Sequence, residues 1–436
     1  MSRLLALVMV GGFAAGSGWA VSPDPKDLII PPQELSKARE LVKRLGSESF
    51  RDREEAHAEL SKMGRLARPA LLEGATSDPD PEVRYRCARL LPKAGADDLK
   101  ARLDTFLADI ESKYEHDLPG LKVFRRVVGG DKAARDLFVE MIKSPYNVEL
   151  LQAIDKDSTE AGRAIADRRA LLWTNMQGRN IGGVIKQPQP VTLPDVACLL
   201  FAEAVTPSKD IPKGQFNYAS VNFIQQQASM NAINNPANTP HAEPYKKILG
   251  QWLATRDDVN DLNNLSYVAG QLLRGFKETG PLLRKVVTTE GVFGYNKGQA
   301  LMYLVQRGGK DEIPFLKSLL TNETQVQVVF LGNQPNQQPI QHQCLVRDVA
   351  LAYLVTLTGQ KMTDYGFTIQ PGVVLNQQNI GYGNYAFTTE EKRAAAMVKF
   401  GFWQLKGGPA PKPSDTPEPM PDPTNTNPRV PPIKRR

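Results

Sequence analysis

Between Phe50 and Leu91 apolar residues recur every three or four positions, and that rhythm predicts helices. Ala56, Leu60 and Met63 stand at i, i+4 and i+7, one face of a 3.6-residue period, and Gly64 closes the run. Ala70 and Leu71 carry the stripe on to the turn Ser77-Asp78-Pro79-Asp80-Pro81, so the stretch reads as two short antiparallel helices. Asp80 is the candidate N-cap of the second, with Pro81 at its first position, where a missing N–H costs no hydrogen bond. Val83, Cys87, Leu90 and Leu91 form its buried stripe. A hairpin this small hides its apolar face only against a neighbour, which predicts stacked pairs.

The rest of the chain keeps the helical rhythm. Leu35 to Leu45 is a helix that should pack on this hairpin, and Leu103, Phe106, Leu107, Ile110 and Tyr114 predict another, ended by Pro119-Gly120. From Leu118 to Ser144 two helices follow, the second capped by Asp131 and striped by Ala134, Leu137, Phe138, Met141 and Ile142. Ile165, Arg168 and Leu172 share a face, while Pro194 to Ala204 is apolar nearly all round, as in a buried helix. Helices are then expected over Pro244–Thr255, Leu262–Phe276, Pro281–Val287, Gly298–Gln306 and Ile313–Leu320, punctuated by Thr279-Gly280-Pro281 and Gly308-Gly309. Two stretches break the pattern. Thr324 to Leu331 alternates like a strand or hairpin, and Thr368 to Thr388 reads as an irregular or short β segment before a helix over Glu390–Trp403. Arg179–Pro190 and Asn231–Pro240 read as long loops.

Asp80, Val83-Arg84 and Cys87-Ala88 stand where the second helix of a HEAT repeat carries its acidic residue, Val-Arg pair and small apolar residues, and the hairpin resembles that repeat. Val346-Arg347-Asp348 followed by Ala350-Leu351 resembles the same helix. With the Leu118–Ser144 block, these segments are similar to exported bacterial proteins that carry degenerate HEAT-like repeats and no assigned activity. The resemblance implies a mainly α fold: a HEAT-like α-solenoid of stacked helix pairs with loop or short β insertions in the C-terminal half. It gives Asp80, Val83, Arg84, Val346, Arg347 and Asp348 structural roles, the arginines as a hydrogen-bonded ladder between adjacent repeats.

Composition narrows the class. Of 436 residues 41% are apolar and 23% charged, which excludes wholesale disorder. Arg3, an apolar run from Leu4 to Ala15 and Gly18-Trp19-Ala20 form the three parts of a secretory signal peptide. The run is short of the roughly 20 residues that span a bilayer. A secreted or periplasmic protein is therefore expected, cleaved near Ala20 and without a transmembrane segment thereafter. The expected organisation is a signal peptide over 1–20, a linker over 21–34, a HEAT-like region over 35–180, a second helical region over 181–406 and a disordered Pro-rich tail over 407–436. Net charge is +7, of which the tail holds +2 and the signal Arg3, so the body is too weakly basic to predict a nucleic-acid partner. Cys87, Cys198 and Cys344 lie far apart among apolar residues and read as buried free thiols.

No familiar catalytic pattern appears. His57, His116, His241 and His342 are never three to five residues apart and never at a zinc interval from a cysteine. Asp155 to Glu160 begins like a calcium loop, but the sixth position needs Gly and the twelfth is Ala166, so Asp157 or Ser158 is better read as a helix cap. Gly129-Gly130-Asp131-Lys132 lacks the spacing of a phosphate loop and reads as a helix start. No cofactor or metal is expected. Phe216, Tyr218, Gln377, Tyr382, Asn384 and Tyr385 are the candidate ligand contacts, aromatic and amide groups in loops suited to a peptide or glycan. The expected function is a non-catalytic scaffold or protein-binding module of the cell envelope, its partner a protein or an envelope polymer. The alternative is an envelope-polymer hydrolase whose carboxylate pair, assembled only by folding, leaves no signature in sequence.

Overall fold

The computed structural model describes residues 21–181, 184–214, 216–331 and 340–407. The expected signal peptide and, beyond Gly407, the Pro-rich tail lie outside the described residues. The chain is largely helical and divides into two compact units, Met1–Trp252 and Leu253–Arg436. Among the described residues strands occur only as two-stranded antiparallel ladders, and no sheet is closed.

The first unit opens with α1 (Pro32–Arg44), α2 (Phe50–Met63), α3 (Arg68–Ser77) and α4 (Pro81–Ala108). Gly64 has φ +53°, which ends α2; a short 3-10 turn then leads into α3. The stretch expected to form one hairpin therefore holds three helices, and α2 belongs with α1. Like helices lie against like. The Arg39 guanidinium on α1 donates to both oxygens of Glu73 on α3, 2.9 and 2.7 Å away. Arg86 and Lys93 on α4 reach Glu54 and the Ser61 carbonyl on α2, at 2.8 and 3.0 Å. These links join residues 32 to 34 positions apart, so one helix pair is laid on the next at a fixed sequence offset.

The same local device opens the second helix of each pair. Ser49 accepts the Asp52 N–H and Asp80 accepts the Glu82 N–H, each satisfying a donor that a helix start leaves unpaired. Four residues after each cap an arginine folds back onto its own turn. Arg53 donates to the Ser47 and Glu48 carbonyls at 2.7 and 3.0 Å, and Arg84 to those of Asp78 and Pro79 at 2.7 and 2.9 Å. In these bonds Arg84 fastens the turn that opens α4.

Between the pairs, Ala38, Leu41, Val42, Ala56, Leu60, Leu71, Val83 and Cys87 form one buried cluster. Gly74 sets its closest approach: a Cβ there would lie 2.7 Å from Cys87 Sγ and 2.8 Å from Val42 Cγ1. Burial pushes the Cys87 thiol up to about 11, and all three cysteines are free and buried.

The helix expected over 103–114 is replaced. α4 runs on through Pro92 with Leu90 and Ala94 buried on either side, stops at Ala108, and leaves Ile110 almost wholly exposed. After the loop come α5 (Leu121–Val128), α6 (Lys132–Ile142), α7 (Pro145–Lys156) and α8 (Ser158–Gln177). Asp131 caps α6 and its five expected stripe residues are buried; Asp157 caps α8. The region expected as a loop after α8 pairs as β1 (Arg179–Ile181) with β2 (Val184–Lys186). α9 (Leu193–Val205), α10 (Ala219–Ile224), α11 (Gln227–Asn234) and α12 (Ala242–Thr255) follow, so helix and a 3-10 turn at Pro236–Asn238 replace most of the second expected loop. An aromatic chain, Phe106–Phe138–Phe124–Phe201, runs through this core with ring centroids 6.2, 5.1 and 5.4 Å apart. Glu203, fully buried on α9, accepts from Arg169, Ser220 and Trp252 and so ties four helices together.

The second unit holds α13 (Val259–Gln271), α14 (Thr279–Thr288), α15 (Gly294–Gly308) and α16 (Ile313–Ser318), then the antiparallel pair β3 (Gln325–Leu331) and β4 (Ile340–Leu345). α17 (Val346–Leu357) follows directly, β5 (Thr368–Ile369) pairs with β6 (Tyr385–Ala386), and α18 (Glu390–Leu405) closes the unit. Asp348 is fully buried, accepts the Leu345 N–H at 2.9 Å and meets the Arg393 guanidinium at 2.9 Å. Arg347, one residue earlier, spans Glu323 and Glu390 at 2.7 and 3.0 Å.

Val83 is 2% exposed between the helix pairs. Val83→Asp places an unpaired charge there and is expected to cost on the order of 3 kcal/mol or more, read as a large fall in melting temperature. An unchanged melting curve would reject the packing.

Candidate functional site

Two places gather chemistry, one in each unit. In the first unit, the 12 residues between α4 and α5 (109–120) fold around Asp109. Its carboxylate accepts the Lys113 and Tyr114 N–H groups at 2.9 and 3.0 Å and meets His116 Nε2 at 3.0 Å. Both side chains of the Asp109–His116 pair are 2% exposed. The imidazole and the Phe106 ring meet edge to face, and the Arg135 guanidinium lies over that ring, 4.1 Å from its centre. Arg135 also donates to the Phe106 and Asp109 carbonyls, closing the end of α4. Burial by itself would raise the Asp109 carboxyl; the His116 hydrogen bond and the two backbone N–H groups outweigh it and hold the group below its ordinary range.

This loop borders two clefts. One, of about 350 Å³, has an apolar side made by Leu28, Ile29, Ile30 and Pro69 and a charged side holding Arg65, Arg68 and Arg102. The other, of about 690 Å³, lies over Leu118, Lys122, Arg125 and Asp155, and His116 and Asp117 line both. The arginines are engaged. Arg65 donates to the Leu28 carbonyl at 2.8 Å and pins the incoming chain, while Arg102 pairs with Asp98 and Asp117 at 2.9 and 2.6 Å. The far end of the loop is tied by Asp155, which accepts the Gly120 N–H at 2.7 Å. That bond is the role of the carboxylate read as the start of a calcium-like run. The linings mix both signs of charge, Arg65, Arg68, Arg102, Lys122 and Arg125 against Asp98, Glu115, Asp117 and Asp155; with His116 Nε2 already bonded to Asp109, the pair organises the loop.

The six candidate contact residues fall into two groups. Phe216 and Tyr218 pack on Trp173 in the first unit, with ring centroids 6.3 and 5.2 Å from it. Gln377, Tyr382, Asn384 and Tyr385 stand together in the second unit, but with different duties. Tyr385 is fully buried and donates to the Ile380 carbonyl at 3.1 Å, so it holds the turn and cannot meet a ligand. Asn384 accepts from Gln327 at 3.2 Å. The Gln377 side chain is exposed, and half-buried Tyr382 lies nearly parallel to Tyr295, 18° between planes and 6.3 Å between centroids.

Sequence reading passed over Asp109, Arg65 and Arg102 and found no partner for His116, since their spacing carries no pattern; only the fold gathers them. It also passed over Tyr267 and Tyr295, although a signal was present. Asn260, Asn264, Tyr267 and Gln271 recur at helical spacing as an exposed stripe without a charge. Among the described residues, no three His, Cys, Asp or Glu side chains converge as a metal would require. No helix among them is long and apolar enough to cross a membrane.

A carboxylate with a lowered folded-state pKa stabilises above the unfolded value, about 3.9 for Asp, and loses that contribution as pH falls through the lowered one. Asp109→Asn should therefore cost about 1–3 kcal/mol at neutral pH and progressively less in acid, measured by urea unfolding along a pH series. A deficit that stays constant down to the acid limit would show that the ionised form does not matter. In comparisons with models of known families, with curated proteins and with solved structures, nothing matches this chain.

Proposed function

We propose that the chain is an exported, non-catalytic scaffold or binding module of the cell envelope, built on HEAT-like stacked helix pairs. The observation that carries the reading is the repeated unit in α1–α4. Two successive pairs share a capped second helix, an arginine folded onto its own turn and links 32 to 34 residues apart. A unit that stacks by translation extends a surface with each copy and leaves the outward residues free to vary, which suits it to holding a partner. Firmly tied clefts bordered by the 109–120 loop offer recesses on that surface, and preformed recesses bind with little loss of chain entropy. The apolar run and small residues at the N-terminus support an export address.

The test is crosslinked capture by the full-length chain from the envelope fraction of its native cell, with N-terminal sequencing of the recovered protein. The reading expects a defined envelope partner in reproducible yield and a chain that begins near Val21. Recovery from the cytoplasm with Met1 intact, or capture no greater than for an unrelated helical protein, would overturn it.

A further inference from the structure

In the second unit, three tyrosines from three elements converge on one spot. Tyr267 on α13 and Tyr295 on α15 are each about half exposed, and Tyr382 stands on the 3-10 turn Ile380–Tyr382. Tyr295 and Tyr382 lie 6.3 Å apart between ring centres. Helices α13 and α15 are tied side by side where Asn296 donates to the Asn263 carbonyl at 2.9 Å and Ser266 to Gln299 at 3.0 Å, within one turn of Tyr267 and Tyr295. Burial first, and then the phenols of Tyr382, Tyr267 and Tyr295, push the Tyr303 hydroxyl up to about 12, while a hydrogen bond from Gln271 pulls the other way.

The frame beneath is built by close approaches that admit no side chain. A Cβ at Gly270 would lie 1.9 Å from the Tyr303 ring, so the ring rests directly on the α13 backbone. A Cβ at Gly298 would lie 2.3 Å from the Gly381 carbonyl oxygen, which presses the turn carrying Tyr382 against α15. The buried Tyr353 hydroxyl accepts the Gly381 N–H at 3.0 Å, and Tyr385 holds the Ile380 carbonyl. The aromatic face is therefore set before any ligand arrives.

Its chemistry is polar without charge. No Asp, Glu, Lys, Arg or His occurs from Tyr365 to Thr389, a stretch that holds six Asn and Gln. The outward stripe of α13 continues the theme with Asn260, Asn264 and Gln271 beside Tyr267, and on α15 the nearby Lys297 is buried. An anionic or cationic partner would find no counter-charge among these outward residues; Asp261, on another face of α13, is paired with Arg256. A pyranose ring presents a C–H face that packs on an aromatic ring and hydroxyls that pair with the donor and acceptor of one amide. We propose that the Tyr267–Tyr295–Tyr382 face binds a neutral polysaccharide strand, with Gln271 and the Oδ1 of Asn264, whose Nδ2 donates to the Asn260 carbonyl, as its amide contacts.

The assay is electrophoresis of the full-length chain through native gels that contain soluble neutral glucan, mannan or xylan, with dextran sulfate as the charged control. At least one neutral gel should retard the protein, equally in low and high salt. Tyr295→Ala and Tyr267→Ala should each weaken retardation about tenfold, the size of one lost aromatic contact of about 1.4 kcal/mol. Both side chains are half exposed, and thermal melts of the variants establish that they fold. Tyr295→Trp keeps an aromatic face and should keep binding. Absence of retardation in every neutral gel would overturn the proposal, as would retardation that survives both alanine changes. Retardation by dextran sulfate alone, abolished by salt, would mark an electrostatic surface and overturn it too. Capture of an envelope protein through the same tyrosines, with no retardation, would discard the glycan while leaving the binding-module reading standing.

Discussion

The structure depends on helices that cannot hide their apolar stripes alone and must come very close to hide them together. In the opening cluster, Val42 and Cys87 meet around Gly74, where there is no room for a methyl group. Interiors are packed to crystal-like density, so the residue at the narrowest point sets the separation of everything beside it. The second unit uses the same solution under Tyr303 and between Gly298 and Gly381. Each fully buried leucine contributes about 1.5–3 kcal/mol, a gain that is realised only when neighbouring helices arrive as a set.

Polar groups then decide which set forms. Glu203 has no exposed surface, yet it receives Arg169, Ser220 and Trp252 from three other helices. Asp348 is similarly enclosed, and there burial raises its carboxyl although Arg393 and the Leu345 N–H pull the other way. Leaving any such group unmatched costs more than the match gains, so wrong pairings of helices are penalised more heavily than right ones are rewarded. Arg168 shows how this looks in sequence. It sits on an apolar helix face and is buried because Asn147 and Asp195 receive its guanidinium.

These constraints also explain why surface chemistry is presented on firm supports. The loop over 109–120 is fastened by one carboxylate that gathers two N–H groups and an imidazole. The turn that carries Tyr382 is fastened by two buried tyrosine hydroxyls. In both places a buried side chain does the positioning and its neighbours face outward. A residue such as Tyr385 can therefore look like a contact from composition and prove to be a support.

The sequence by itself determined that the chain is mainly helical and, for most of its helices, which residues are buried, because periodicity and caps are local properties. Asp80 and Asp131 cap as expected and Asp157 is the cap of the two residues read for α8; the buried stripe of α6 was legible residue by residue, and Ile165, Arg168 and Leu172 of α8 are buried as read. The tertiary structure decided what each stripe faces. Gly64 divides a continuous apolar pattern into partners for different helices, and Asp109 ends α4 where periodicity alone would continue it. Which charges are buried, and which tyrosines from α13, α15 and the 380–382 turn meet, also awaited the fold. Such groupings join residues tens of positions apart, and no local rule of spacing records that distance.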